Sequence, residues 1–229
     1  MDSRIAKHTS IVPSACWFPR LALITFLCAF PAWAQLPAPS DVNDCHPCSF
    51  SPGKDFPAYN FTFVVKANGD RREVTGIQVS SPSEEKPIQT LAVSGMEPIG
   101  KEETFFFGGV DINFDGLLDL MLITRKGVAN AYAAYWLFDP RTKMFTSLGT
   151  YPVFRVDAQK SRLLTYERGG SGGMIHEAKE YAFEKGKLTL MKDEKQDATA
   201  RPNVFRKVVR ERVNGVLKVV KTEMVRPPQ

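Results

Sequence analysis

Oxygen-bearing side chains recur at alternate positions in one short stretch, "DINFDGLLDL", which carries Asp111, Asn113, Asp115, Gly116, Leu117 and Asp119. Calcium takes roughly six to eight hard oxygen ligands and tolerates irregular geometry. Alternate residues of a tight loop point inward, so this spacing offers Asp111, Asn113 and Asp115 as side-chain ligands and the Leu117 carbonyl as a backbone ligand. Asp119 then closes the shell from the start of the next segment. Gly116 permits a sharp turn with positive φ. Carboxylate and amide oxygens, with no Cys or His nearby, favour calcium over softer metals. The offsets follow an EF-hand loop, but an EF-hand places a Glu at the twelfth position, and that position here is Leu122. The flanks "FFFGGV" and "LLDLMLIT" are strand-like. The expected site is therefore strand–loop–strand, a structural clamp with little of the hinge action of helical sensors. Calcium outside the cytoplasm fills weak sites with dissociation constants on the order of 0.1 to 1 mM. The alternative is an Asp/Asn-rich β-turn that holds no metal.

The second chemical stretch is "ERGGSGGMIHE". Gly169, Ser171 and Gly173 spell the G-x-S-x-G of a nucleophile elbow, which needs a strand–turn–helix and a later His. His176 is the last His and follows within five residues, in a chain that otherwise reads as strands, so serine hydrolysis is set aside. Glu167 and Glu177 have the chemistry of a glycosidase pair, but nothing in the sequence sets their separation. Two readings remain: a flexible connection between strands, and a protruding recognition loop. In the second, small residues let a partner approach the backbone, as functional loops do. Ser171, Gly172 and His176 are its candidate contacts. His176 offers a hydrogen bond to a partner or caps its own strand. No catalytic residue is assigned, and the expectation is a protein that is not an enzyme.

The third group is Cys45 and Cys48 in "CHPC". Upstream, Arg4, Lys7 and Arg20 precede the apolar run "LALITFLCAF" and the small-x-small site "AWA", the three-part layout of a secretory signal peptide. Leu27 before Cys28 argues against a lipoprotein, and cleavage before Gln35 is expected, with a retained amphipathic anchor as the alternative. Export makes a Cys45–Cys48 disulfide the expected state. A redox pair would sit between a strand and a helix, whereas this pair lies amid "LPAPSDVND" and "SFSPGKDFP". Redox chemistry, metal binding or a free pair are the weaker alternatives. Periplasmic localisation follows.

These groups must be positioned by strands. After an irregular lead-in over 35–57, "YNFTFVVKA" and "RREVTGIQVS" flank an Asn-Gly, a strong hairpin signal. Turn signals recur to the end, including "PRT" after "AYAAYWLFD" and a second Asn-Gly at Asn214 and Gly215. "GMIHEAKEYAF" fits alternation and is assigned as strand. The expectation is one all-β domain over 58–229, an antiparallel hairpin meander built as a sandwich, a barrel or a small degenerate propeller. The charge of +5 falls to +3 once Arg4, Lys7, Arg20 and Asp2 are removed, too mild for a nucleic-acid binder. No segment after the leader is apolar enough to span a membrane. The basic run "FRKVVRERVNGVLKVVK" reads as a solvated strand face protecting a sheet edge, or as a weak footing on an anionic envelope surface.

"FGGVDINFDGLLDLMLI" resembles the FG-GAP calcium repeat of β-propellers. With "NAYAAYWLFDP", Phe145 and "GGSGGMIHEAKEYAFEKGKLTL", residues 100–195 resemble exported bacterial proteins that act as periplasmic immunity proteins against lysozyme-like effectors of type IV secretion systems. The resemblance implies a propeller-like β-fold, bound calcium, and inhibition of a peptidoglycan hydrolase by a loop inserted into its cleft. Ser171 and Gly172 match the Ser-Gly-x-x-Tyr loop of lysozyme inhibitors, and Ile175 stands at the Tyr position. The other reading is a calcium-stabilised envelope interaction module without a hydrolase target.

Overall fold

The computed structural model describes residues 48–84 and 86–227. The expected signal peptide, Cys45 and the lead-in before Cys48 lie outside the described residues. The described chain is all-β, and its one helical element is a single 3-10 turn over Ser171–Gly173. Three antiparallel sheets follow one another along the sequence. The first contains β1 (Cys48–Phe50), β2 (Tyr59–Asn68), β3 (Arg71–Ser80), β4 (Gln89–Ala92) and β5 (Ile99–Gly100). The middle sheet contains β6 (Phe107–Val110), β7 (Asp119–Lys126), β8 (Ala131–Asp139) and β9 (Met144–Pro152). The third contains β10 (Arg155–Asp157), β11 (Arg162–Arg168), β12 (His176–Glu184), β13 (Lys187–Ala198), β14 (Phe205–Val213) and β15 (Val216–Val225). The strands of the middle and third sheets pair in chain order, the meander expected from hairpin signals spaced along the sequence.

Burial follows the pleat. Leu120 and Leu122 on β7, with Ala134, Trp136 and Phe138 on β8, pack with Tyr59, Phe61, Val79 and other residues of the first sheet. Met121, Ala133 and Tyr135 point the opposite way and pack with Phe154, Leu163 and Tyr181 toward the third sheet. Successive side chains on a strand face opposite sides, so a strand buried on both faces has to be apolar at every position. That is why "LMLI" and "AAYWLF" read as continuous apolar runs. The three sheets are packed in series, first on middle and middle on third.

Two side-chain amides clamp these junctions. Gln89 of β4 donates from Nε2 to the Phe145 carbonyl (2.6 Å) and accepts from the Phe145 N–H (2.9 Å). Asn130, in the β7–β8 turn, donates from Nδ2 to the Arg168 carbonyl (2.9 Å) and accepts from the Arg168 N–H (2.7 Å). Each amide occupies one backbone residue of the next sheet as a neighbouring strand would.

The lead-in differs from expectation at its end. Cys48–Phe50 forms β1 and pairs with Tyr59–Phe61, because Phe50 stacks on Phe61 at 4.7 Å and so brings its backbone alongside β2. At the other end of the chain, β15 is the edge of the third sheet. The basic residues of this hairpin are extensively paired: Arg210 with Asp193 (2.7 Å), Lys207 with Glu194 (2.7 Å) and Lys221 with Glu223 (2.7 Å). No helix among the described residues is long and apolar enough to cross a membrane.

Candidate functional site

The residues expected to ligate calcium lie in the loop between two strands, β6 and β7. Asp111 follows β6, and Asp119 opens β7. The turn between them is shaped by its own side chains. Asn113 Oδ1 accepts from the Asp115 N–H (3.1 Å), Asp115 Oδ1 from the Leu117 N–H (2.8 Å), and Asp111 Oδ2 from the Gly116 N–H (3.0 Å). Asn113 Nδ2 donates to Asp115 Oδ2 (2.8 Å). Gly116 has φ 83°, as the turn requires. Phe114 has φ 63°, which costs energy for a residue with a Cβ. Its ring packs against the cluster between the middle and third sheets, and this contact holds the strained backbone in place.

Asp119 is fully buried. Its Oδ2 accepts from the Ile112 N–H (3.0 Å) and its Oδ1 from the Phe138 N–H (2.8 Å). The sequence reading expects it to be the closing ligand; what the structure shows is that it ties the loop to β8. Each carboxylate oxygen keeps a further lone pair for a cation. Burial pushes the Asp119 carboxyl up to about 7 against these two hydrogen bonds, and repulsion from Asp115 and Asp111 adds to the shift. Burial also raises Asp111, against hydrogen bonds from the loop N–H groups. Asp111 Oδ1 is buried with no hydrogen-bond partner, the kind of oxygen a hard cation satisfies. Among the described residues, no three Asp, Glu, His or Cys side chains are gathered tightly as a metal group.

The Cys segment buttresses this loop. The Leu118 N–H donates to the Pro52 carbonyl (2.7 Å). A Cβ at Gly53 would lie 2.8 Å from Leu117 Cδ2, so a larger residue here would require the Leu117 side chain to shift. Cys48 is disulfide-bonded, at the start of the segment that carries Pro52 and Gly53.

The glycine cluster is the β11–β12 turn, and it is far from slack. The Gly169 N–H donates to the Ile175 carbonyl (2.7 Å), and the Ile175 N–H to Gly170 (3.2 Å). Gln196 Nε2 donates to the Met174 carbonyl (2.6 Å) from below. Ser171, Gly172 and Gly173 all have positive φ, and Ser171 and Gly172 are exposed. The turn therefore presents backbone to solvent on a braced base. No helix follows Ser171, so the strand–turn–helix of a nucleophile elbow is absent here.

His176 turns inward. Its Nδ1 lies 3.2 Å from the Gly173 carbonyl and its Nε2 3.5 Å from Glu194 Oε1. The half-exposed Tyr166 stacks on its ring at 5.3 Å. Burial opposes ionisation of Glu194, but hydrogen bonds from Lys207 and His176 prevail and hold its carboxyl below the ordinary range. Glu167 and Glu177, unplaced by the sequence, are paired directly across β11 and β12. Glu167 accepts from the Tyr132 hydroxyl and Glu177 accepts from Lys179 Nζ (2.8 Å). The sequence missed the cross-sheet links of Asn130 and Tyr132, whose partners are more than thirty residues away.

No protein-family model matches this chain, and no curated protein matches it. Among solved structures, one described as a Xanthomonas type IV secretion system related protein is similar over 80% of this chain and 97% of that one, at 19% identity and a TM-score of 0.55. At that identity the likeness shows a shared fold.

Proposed function

We propose that this is an exported, periplasmic, calcium-binding protein that inhibits a lysozyme-like peptidoglycan hydrolase and has no catalytic activity of its own. The observation that carries the proposal is the β11–β12 turn. It exposes Ser171 and Gly172 at a tip braced by hydrogen bonds from Gly169, Ile175 and Gln196. A preorganised loop of small residues enters a cleft with little loss of conformational entropy. The fold shared with a type IV secretion system related protein and the leader-like start support the setting, as does the disulfide at Cys48.

Calcium is the clamp in this proposal. Asp111, Asn113, Asp115, the Leu117 carbonyl and Asp119 would hold it, and the ion would offset the repulsion that Asp115 and Asp111 exert on Asp119. The unpartnered Asp111 Oδ1 supports the fit. The test is calcium calorimetry on the exported protein, where Asp115→Ala abolishes binding and equal binding by that variant overturns the assignment.

A second reading, an envelope interaction module without a hydrolase target, is favoured by His176. Its imidazole is occupied by Gly173 and Glu194, and Ile175 stands where inhibitor loops carry a Tyr. On this reading calcium still raises the melting temperature, but no lysozyme is inhibited.

A further inference from the structure

The glycine turn has a neighbour on the same end of the molecule. Asn130 closes the β7–β8 turn by accepting the Gly127 N–H on its carbonyl (2.9 Å), and its side chain grips the backbone of Arg168 just before Gly169. Val128, within that turn, is a fully exposed apolar side chain. Arg125 and Lys126 stand at its foot, both exposed. The Arg125 guanidinium lies 3.9 Å from the centre of the Tyr132 ring, and Lys126 Nζ 4.7 Å from that of Phe106. Rings orient these cations without cancelling their charge. Arg168 lies over the glycine turn, its Nη2 3.2 Å from where a Cβ on Gly173 would be. Beside the turn, Arg71, Arg125 and Lys126 line a cleft of about 360 Å³ with Phe106 and Ile123, and Glu97 and Glu103 also line it.

We propose that the β7–β8 and β11–β12 turns form one composite binding face, and that its occupant is the acidic cleft of a glycoside hydrolase. Val128 and Gly172 are the two tips, and Arg125, Lys126 and Arg168 are the cations around them. Hydrolase clefts of this class carry paired carboxylates, which such a face complements in charge and whose encounter it accelerates. The Asn130 clamp makes the two turns one rigid unit. This inference rests on the inhibitor reading above and adds a second element to it.

The test measures dissociation constants of the full exported protein for purified chicken-type, goose-type and phage-type lysozymes. Val128→Glu and Lys126→Glu weaken the tightest complex by about tenfold or more, with the melting temperature unchanged because both side chains are exposed. Added salt weakens the wild-type complex more steeply than that of Lys126→Glu. If Gly172→Asp weakens binding while both β7–β8 variants stay within about twofold of wild type, well inside a tenfold hot-spot effect, the composite face is wrong and the inhibitor reading stands. If wild type binds none of the three lysozymes, both are wrong.

Discussion

Asp119 shows how far one side chain departs from its sequence role. Its spacing marks it as the last ligand of a calcium loop, and nothing in "DGLLDL" reports that its oxygens hold the N–H groups of Ile112 and Phe138. The first partner belongs to the loop, but the second lies on β8, and only the fold brings it near. Asp119→Ala leaves two buried donors unsatisfied. It should cost about 2–4 kcal/mol of stability in urea unfolding with calcium chelated, where loss of the metal cannot account for the change. Asp115→Ala removes an exposed side chain that shapes the turn. It should cost under about 1 kcal/mol in chelator while abolishing calcium binding. The two substitutions thus separate the structural task of Asp119 from the calcium ligation proposed for both carboxylates.

At the scale of elements, the strands were legible because hairpin chemistry is local. Asn-Gly at Asn68 and Gly69, and again at Asn214 and Gly215, falls at the observed β2–β3 and β14–β15 turns. β1 was hidden because a three-residue strand has too few positions to show alternation, and its pairing depends on Phe50 meeting Phe61. The amide clamps were hidden because an Asn in a turn and a Gln before an apolar run look ordinary until the sheets stack. Gln89→Ala and Asn130→Ala should each cost about 1 kcal/mol. Because they sit at different junctions, the double variant should cost the sum, as denaturation midpoints will show. The third sheet carries a pH signature. The Glu194 carboxyl is held below its ordinary value by Lys207 and His176, so the folded state favours its ionised form. That stability is present above the ordinary Glu value and is lost as pH falls through the depressed one. Glu194→Gln should flatten this acid limb in melting temperatures followed from neutral pH downward.

At the scale of the whole molecule, the described residues form three meander sheets in series, with the 111–119 loop and the glycine turn at opposite ends of the strands. Along β7 the calcium loop and the β7–β8 turn are roughly 25 Å apart. On the proposed reading, calcium in this loop would act on the glycine turn through overall stability, without direct contact. An ion that binds only the folded state, at about a hundredfold above its dissociation constant, adds about 2.7 kcal/mol. For a domain of this size that raises the melting temperature by roughly 5–10 °C, readable by calorimetry with calcium and with chelator. The sequence carried the all-β class, the meander and the loop positions, since each depends on neighbours in the chain. The sequence did not carry the inward turn of His176, because Glu194 and Tyr166 meet it only across paired strands. The most direct measurement of the central claim is lysozyme clearing of a peptidoglycan suspension, titrated with this protein in calcium. The account predicts that clearing by at least one lysozyme type stops near a one-to-one ratio and resumes with Gly172→Asp. Undiminished clearing by every lysozyme at any ratio would contradict it.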